Sequence, residues 1–324
     1  MSIAASPVGA EQLHSSALRR FAWATLVYSI AVILWGAVTR AAGAGDGCGN
    51  HWPLCNGSVV QHSASVDTLI EFTHRITSGI STVLVLGLMV WILMATPRRH
   101  LARATAVASV AFIFVEAILG AFLVKLGLTA QSRSPLRAPY LALHLTNTLL
   151  LLAALTLTAH FLGREHGFLR GKVRLVKPIQ TALGLFVLLI VGVSGSLAAL
   201  GDTLFPAHSL DSALAQDFSI QSNWLVRWRW THPAIAFLAS IFLIWLLVRA
   251  AKRNAYWDNR ALSALVLILL AVQYILGVLD VALLAPIWLQ VVHLFGADAL
   301  WAALVVLTAR LTLQPAEPGE RSRE

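Results

Sequence analysis

Four histidines, His74, His144, His232 and His293, stand inside long apolar runs of the 324-residue chain. An ionisable side chain is costly there and marks a functional site. Context sorts them into two pairs, because Thr73-His74 is answered by Thr231-His232 and His144-Leu145 by His293-Leu294. Neutral imidazole is a strong axial ligand for haem iron, and two imidazoles at matched depth suit the two axial bonds of one iron. Taken one at a time, each is more readily an interfacial or interhelical hydrogen-bonding residue; retention of all four favours two haem sites. Zinc fits less well, since neither pair has a third carboxylate or thiolate ligand at recognisable spacing. His14, His51, His62, His100, His160, His166 and His208 lie outside the pattern and read as loop or helix-end residues.

The two pairs differ three residues before their first histidine, a spacing that shares a helix face. One copy reads Glu71-Phe-Thr-His74 and the other Arg229-Trp-Thr-His232. A carboxylate beside a haem can move protons or stabilise a developing cation, which predicts a catalytic Glu71. The plainer alternative is a solvated acid at a helix mouth. Arg229 is expected to meet a haem propionate. Both cysteines lie in Gly45-Asp-Gly-Cys48-Gly-Asn-His-Trp-Pro-Leu-Cys55. That spacing fails as a metal or Cys-x-x-Cys motif. On an oxidising face it permits a disulfide worth about 2–3 kcal/mol in the chain-entropy model, structural or redox-active.

Hydrophobic residues make up 58% of the chain and charged residues 12%, about half of the roughly 25% expected in a soluble domain. This predicts an all-α integral membrane protein of eight transmembrane helices, at residues 21–39, 72–95, 104–125, 140–162, 178–200, 230–250, 261–284 and 287–311. Only Ala285 and Pro286 separate the last two, which demands a tight turn. His74 and His232 are placed at the starts of their helices, His144 and His293 early in theirs. No cleaved leader is expected at the N-terminus. A formal net charge of +9 does not indicate nucleic acid, because Lys and Arg concentrate in alternate loops. Arg19, Arg20, Arg98, Arg99, Arg103, Arg164, Arg170, Lys172, Arg174, Lys177, Arg249, Lys252, Arg253, Arg260, Arg310, Arg321 and Arg323 share one side. The positive-inside rule then puts both termini in the cytoplasm and the histidines near the outer face of a cell inner membrane.

An internal repeat underlies the pairs. Gly36 to Asp46 lies over Gly192 to Asp202 without a gap, and Ile118-Leu119-Gly120 answers Ile275-Leu276-Gly277. Four spans per copy make the repeat parallel, which predicts two pseudo-symmetric parallel four-helix bundles. The divisions expected are a cytoplasmic tail at 1–20, a first bundle at 21–165, a cytoplasmic linker at 166–177, a second bundle at 178–312 and a tail at 313–324. Between the fifth and sixth spans, Leu210, Leu214 and Phe218 form the stripe of a short surface helix. Trp224, Trp228 and Trp230 suit an interfacial aromatic belt.

The chain resembles the haem A synthase family from Phe21 to about Leu313. The resemblance is carried by Gly36-Ala-Val-Thr-Arg40, the Cys48–Cys55 loop, Glu71-Phe-Thr-His74-Arg75, the His144 helix, Asp202-Thr-Leu-Phe-Pro206, Thr231-His232-Pro233 and the His293 helix. It implies oxidation of the C8 methyl of haem O to a formyl group, giving haem A for terminal oxidases through successive hydroxylations. His74 and His144 would flank the substrate haem, with Glu71 assisting. His232 and His293 would ligate the iron of a haem B cofactor. Cys48 and Cys55 match loop cysteines that the family can join. A second cysteine pair, found in some members, is missing here. The implied partners are the lipid bilayer, haem O synthase, terminal oxidase assembly, an electron donor of unassigned identity and a second copy of the chain. A transmembrane di-haem electron carrier or a haem-handling assembly protein remains the alternative.

Overall fold

A computed structural model of the chain describes residues 7–59, 64–163, 173–175, 178–253 and 258–315. Eight of its helices are long and apolar enough to cross a membrane, as predicted. The first four are α1 (Pro7–Ala41), α2 (Val66–Ala95), α3 (Leu101–Lys125) and α4 (Arg137–Leu162). A short strand β1 (Val173–Leu175) leads to α5 (Pro178–Leu204), the surface helix α6 (Leu210–Phe218) and the one-turn α7 (Trp224–Trp228). Then come α8 (Thr231–Arg253), α9 (Asp258–Ala282), α10 (Ile287–Thr312) and β2 (Leu313–Pro315). The antiparallel β1–β2 pair, which hydropathy did not announce, joins the segment between the halves to the segment after α10. His62, His166, Arg164, Arg170, Lys172, Lys177, Arg321 and Arg323 lie outside the described residues.

Helix packing follows the repeat. In the first half α1 packs on α2, α2 on α3, α3 on α4 and α4 back on α1; α5, α8, α9 and α10 make the same closed circuit. Both halves meet through α1 and α4 against α5 and α10. Small residues let these helices approach, as expected where lipid gives no hydrophobic drive between helices. A Cβ on Gly192 would stand 3.0 Å from Leu149 Cδ1. Trp301 of α10 is buried at the seam and donates from Nε1 to Leu149 O at 2.7 Å. Arg40 also crosses the seam. Its Nη1 donates to Ala199 O at 2.9 Å and Thr203 Oγ1 at 2.8 Å, and its Nη2 to Gln290 Oε1 at 2.8 Å.

Two helix starts differ clearly from the hydropathy reading, that of α1, at Pro7 and not at 21, and that of α2. Helix α2 begins at Val66 and not at 72, because the Ser65 hydroxyl caps Thr68 N at 3.2 Å. Thr68 and Glu71 of its opening turns are buried by protein, so these positions need not be apolar. His74 therefore sits in the third turn of α2 and not at its start. The tight turn after α9 is present. Leu284 and Ala285 adopt φ of 61° and 53°, and Ala285 N donates to Asp280 O at 2.7 Å. The expected surface helix is α6, closed by a Ser209–Ser212 capping box, with Leu210, Leu214 and Phe218 exposed. Trp224, Trp228 and Trp230 are exposed beside it.

Candidate functional site

The four histidines all occupy the first third of an even-numbered span, so they lie towards the face that carries the cysteine loop. His74 and His144 are electrostatic neighbours, as are His232 and His293. Glycines make room for the first imidazole of each pair. A Cβ on Gly36 of α1 would stand 2.8 Å from His74 Cε1, and one on Gly195 of α5 2.9 Å from His232 Cε1. A Cβ on Gly120 of α3 would meet His144 Cε1 at 4.0 Å and one on Gly277 of α9 would meet His293 Cε1 at 3.5 Å, both ordinary contacts. The structural counterpart of Gly36 is thus Gly195, not the Gly192 of the ungapped sequence alignment. The two differ by three residues, nearly one turn, which leaves a glycine on the same face. Gly192 serves the seam instead.

The Nδ1 atoms of His74, His144 and His293 are buried with no hydrogen-bond partner among the described residues. His232 Nδ1 lies 3.0 Å from Ser194 Oγ, which fixes that ring. Two neighbouring imidazoles per half, between four apolar helices, form a donor set that fits haem. Among the described residues no group of three His, Cys, Asp or Glu side chains comes together as a zinc site needs.

Glu71 is 3% exposed, so it is not a solvated acid at a helix mouth. Its Oε1 accepts from Arg75 Nε at 3.1 Å and Nη2 at 2.5 Å, and its Oε2 from Cys48 N at 2.8 Å. Arg75 Nη1 reaches on to His51 O at 2.5 Å and Leu54 O at 2.6 Å. One turn earlier, Thr68 Oγ1 donates to Gly47 O at 2.8 Å. A Cβ on Gly47 would collide with the backbone of Asp67, so only glycine permits this approach. Thr68, Glu71 and Arg75 make one stripe of α2 that clamps the loop beside His74. Cys48 and Cys55 close that loop as a disulfide, with both residues buried and their Cα atoms 4.5 Å apart.

In the second half the charges are reversed. Arg229 donates from Nε to Asp217 Oδ1 at 2.8 Å and from Nη1 to Asp202 Oδ1 at 2.9 Å. It is 8% exposed, so its guanidinium is committed to two carboxylates and not held open for a propionate. The arginine pins α6 against the end of α5, just as Glu71 pins the cysteine loop. Each half therefore has an acid–base clamp beside its first histidine.

One site residue escaped the sequence reading. Glu116 of α3 accepts from Asn147 Nδ2 at 2.5 Å and from Thr148 Oγ1, and its Oε1 lies 3.5 Å from His144 Nε2. An acid in a membrane span was the available signal.

Residues 19–305 match the family model described as cytochrome oxidase assembly protein. The chain belongs to this family. Among curated relatives of the chain, a protein named protoheme IX farnesyltransferase from Thermus thermophilus is 41% identical over 292 residues, covering 90% of this chain and 48% of that one. The chain thus spans about half the length of that relative. A heme A synthase of Bacillus licheniformis is 28% identical over 318 residues, 93% of this chain and 99% of its own. Another, from Alkalihalophilus pseudofirmus, is 26% identical over 306 residues, with 91% and 97% covered.

Proposed function

We propose that the chain is a haem A synthase, converting the C8 methyl of haem O to a formyl group by successive hydroxylations. His74 and His144 hold the substrate haem in the first half, and His232 and His293 hold a haem B in the second. The carrying observation is the repeated imidazole pair whose first histidine lies against a glycine in both halves, combined with a disulfide loop clamped to Glu71, one turn before His74. Haem B, when bound, supplies one-electron transfer between the two halves. Glu71 and Arg75 hold the Cys48–Cys55 loop beside His74, which orders the mouth of the substrate site and excludes water from it. Glu71 stands within one helical turn of His74, so a proton can be passed at its carboxylate only when one of its partners lets go. Ser194 orients His232 at Nδ1, suiting a ligand that stays in place.

End-to-end similarity to heme A synthases supports this reading. The farnesyltransferase name belongs to a relative twice as long, in which this chain accounts for about half. Prenyl transfer to protohaem is the reaction that would supply the proposed substrate, which makes an enzyme of that type a natural partner. The basic loops support a multi-pass chain in a cell inner membrane with both termini cytoplasmic and both haem sites towards the outer face.

The test is to express the full chain in cells that make haem O, purify it, and separate the extracted haems by chromatography. Haem A or a hydroxylated haem O with the wild type, and neither with His74→Ala or His144→Ala, is the expected result. Haem B alone in every sample would overturn the proposal in favour of an electron carrier.

A further inference from the structure

The mechanism above leaves Glu116 unused, yet its carboxylate lies 3.5 Å from a proposed ligand. Its carboxylate is held from two sides by α4, through Asn147 Nδ2 and Thr148 Oγ1, and Asn147 is itself fixed by Phe112 O at 2.9 Å. From this cradle Oε1 faces the Nε2 edge of His144 at 3.5 Å, while His144 Nδ1 is buried with no partner among the described residues. The repeat breaks at this cluster. In the register that matches Gly120 to Gly277, Glu116 corresponds to Gln273. In the register that matches His144 to His293, Asn147 and Thr148 correspond to Gly296 and Ala297. Gln273 Nε2 lies directly against Gly296, where any Cβ would collide with it. The second half thus has a neutral amide where the first has an acid, and nothing corresponding to the amide and hydroxyl that hold the acid.

We propose that Glu116 is a positioning residue that engages His144 at Nε2 and thereby makes the haem of the first half exchangeable. A carboxylate beside Nε2, with Nδ1 unpartnered, favours the tautomer whose hydrogen is on Nε2. Coordination through Nε2 must give up that contact, so the carboxylate competes with iron for the same ring edge. A substrate haem has to arrive and a product haem has to leave, whereas a cofactor haem must stay. The acid-to-amide difference between the halves matches that difference in task. This inference rests on the two-haem reading given under Proposed function.

The test follows haem loss from the purified full chain in detergent to excess apomyoglobin, read by visible absorbance. The wild type is expected to lose haem in a fast phase that His74→Ala removes and a slow phase that His232→Ala removes. Glu116→Gln, which keeps the shape of the side chain, is expected to slow the fast phase by about 10-fold, the scale of a single outer-shell contact. Gln273→Glu is expected to speed the slow phase, and it carries the test if Glu116→Gln fails to fold. An unchanged fast phase in Glu116→Gln, or an unchanged slow phase in Gln273→Glu, would overturn the proposal alone. A wild type with no phase sensitive to His74→Ala would overturn the two-haem reading and this proposal with it.

Discussion

Replacing Glu71 by alanine should release the cysteine loop before it does anything else. The change removes three acceptor contacts, two from Arg75 and one from Cys48 N. Breaking a buried ion pair by deleting one partner costs about 3–5 kcal/mol. Arg75 keeps His51 O and Leu54 O and is 12% exposed, so the lower end of that range applies. The stranded Cys48 N–H adds about 1–3 kcal/mol. Taking the low end of both, a loss of about 4 kcal/mol against loop opening corresponds to about 1,000-fold more open loop, at about 1.4 kcal/mol per factor of ten. The assay is reduction of Cys48–Cys55 by a membrane-impermeant phosphine, with the freed thiols trapped by a maleimide and counted by mass. Glu71→Ala should be reduced about 1,000-fold faster than wild type. Glu71→Gln retains an oxygen for Cys48 N and loses only the charge assistance, so about 10-fold is expected. Haem A output should fall in the same order. Reduction of both variants at the wild-type rate would refute the clamp.

Gly36→Ala and Gly195→Ala each place a Cβ within 3 Å of a histidine ring; each should lose the haem of its own half and retain the other, as measured by haem content and spectrum. His100 caps α3 by accepting from Ala102 N at 3.1 Å, and burial lowers its pKa below the ordinary 6.5. Its contribution is present above pH 6.5 and is lost as pH falls towards the lowered folded value, because the unfolded chain then binds more protons. His100→Asn, which caps at every pH, should remove that part of the pH dependence of thermal unfolding in detergent. Ala285→Gly should stabilise by about 1 kcal/mol, since φ of 53° strains an L side chain and suits glycine, and calorimetry would read the gain.

Much of the fold was legible because lipid leaves a chain few options. Eight apolar runs had to be eight helices, and the repeat marked all four histidines. Helix α2 was drawn too short because hydropathy assumes that polar residues face water, whereas Thr68 and Glu71 face the cysteine loop. The shift from Gly192 to Gly195 was invisible for a related reason. A one-turn slide preserves the helix face, so sequence alignment cannot choose between glycines that do different work. Charge alone also misled at Arg229, whose partners Asp202 and Asp217 come from α5 and α6 and meet it only in the folded chain. Glu116 went unread because its meaning depends on Asn147 and Thr148 across the α3–α4 contact.

Arg40 gives the duplication a direction that the repeat itself does not have. Every acceptor of its guanidinium, on Ala199, Thr203 and Gln290, belongs to the other copy. A fragment ending after α4 would carry that cation into the membrane with no acceptor to meet it, so it should be cleared or aggregate when made alone. Supplied as separate genes, the two fragments should recover each other only when synthesised together. At this residue the first half is built to be completed by the second.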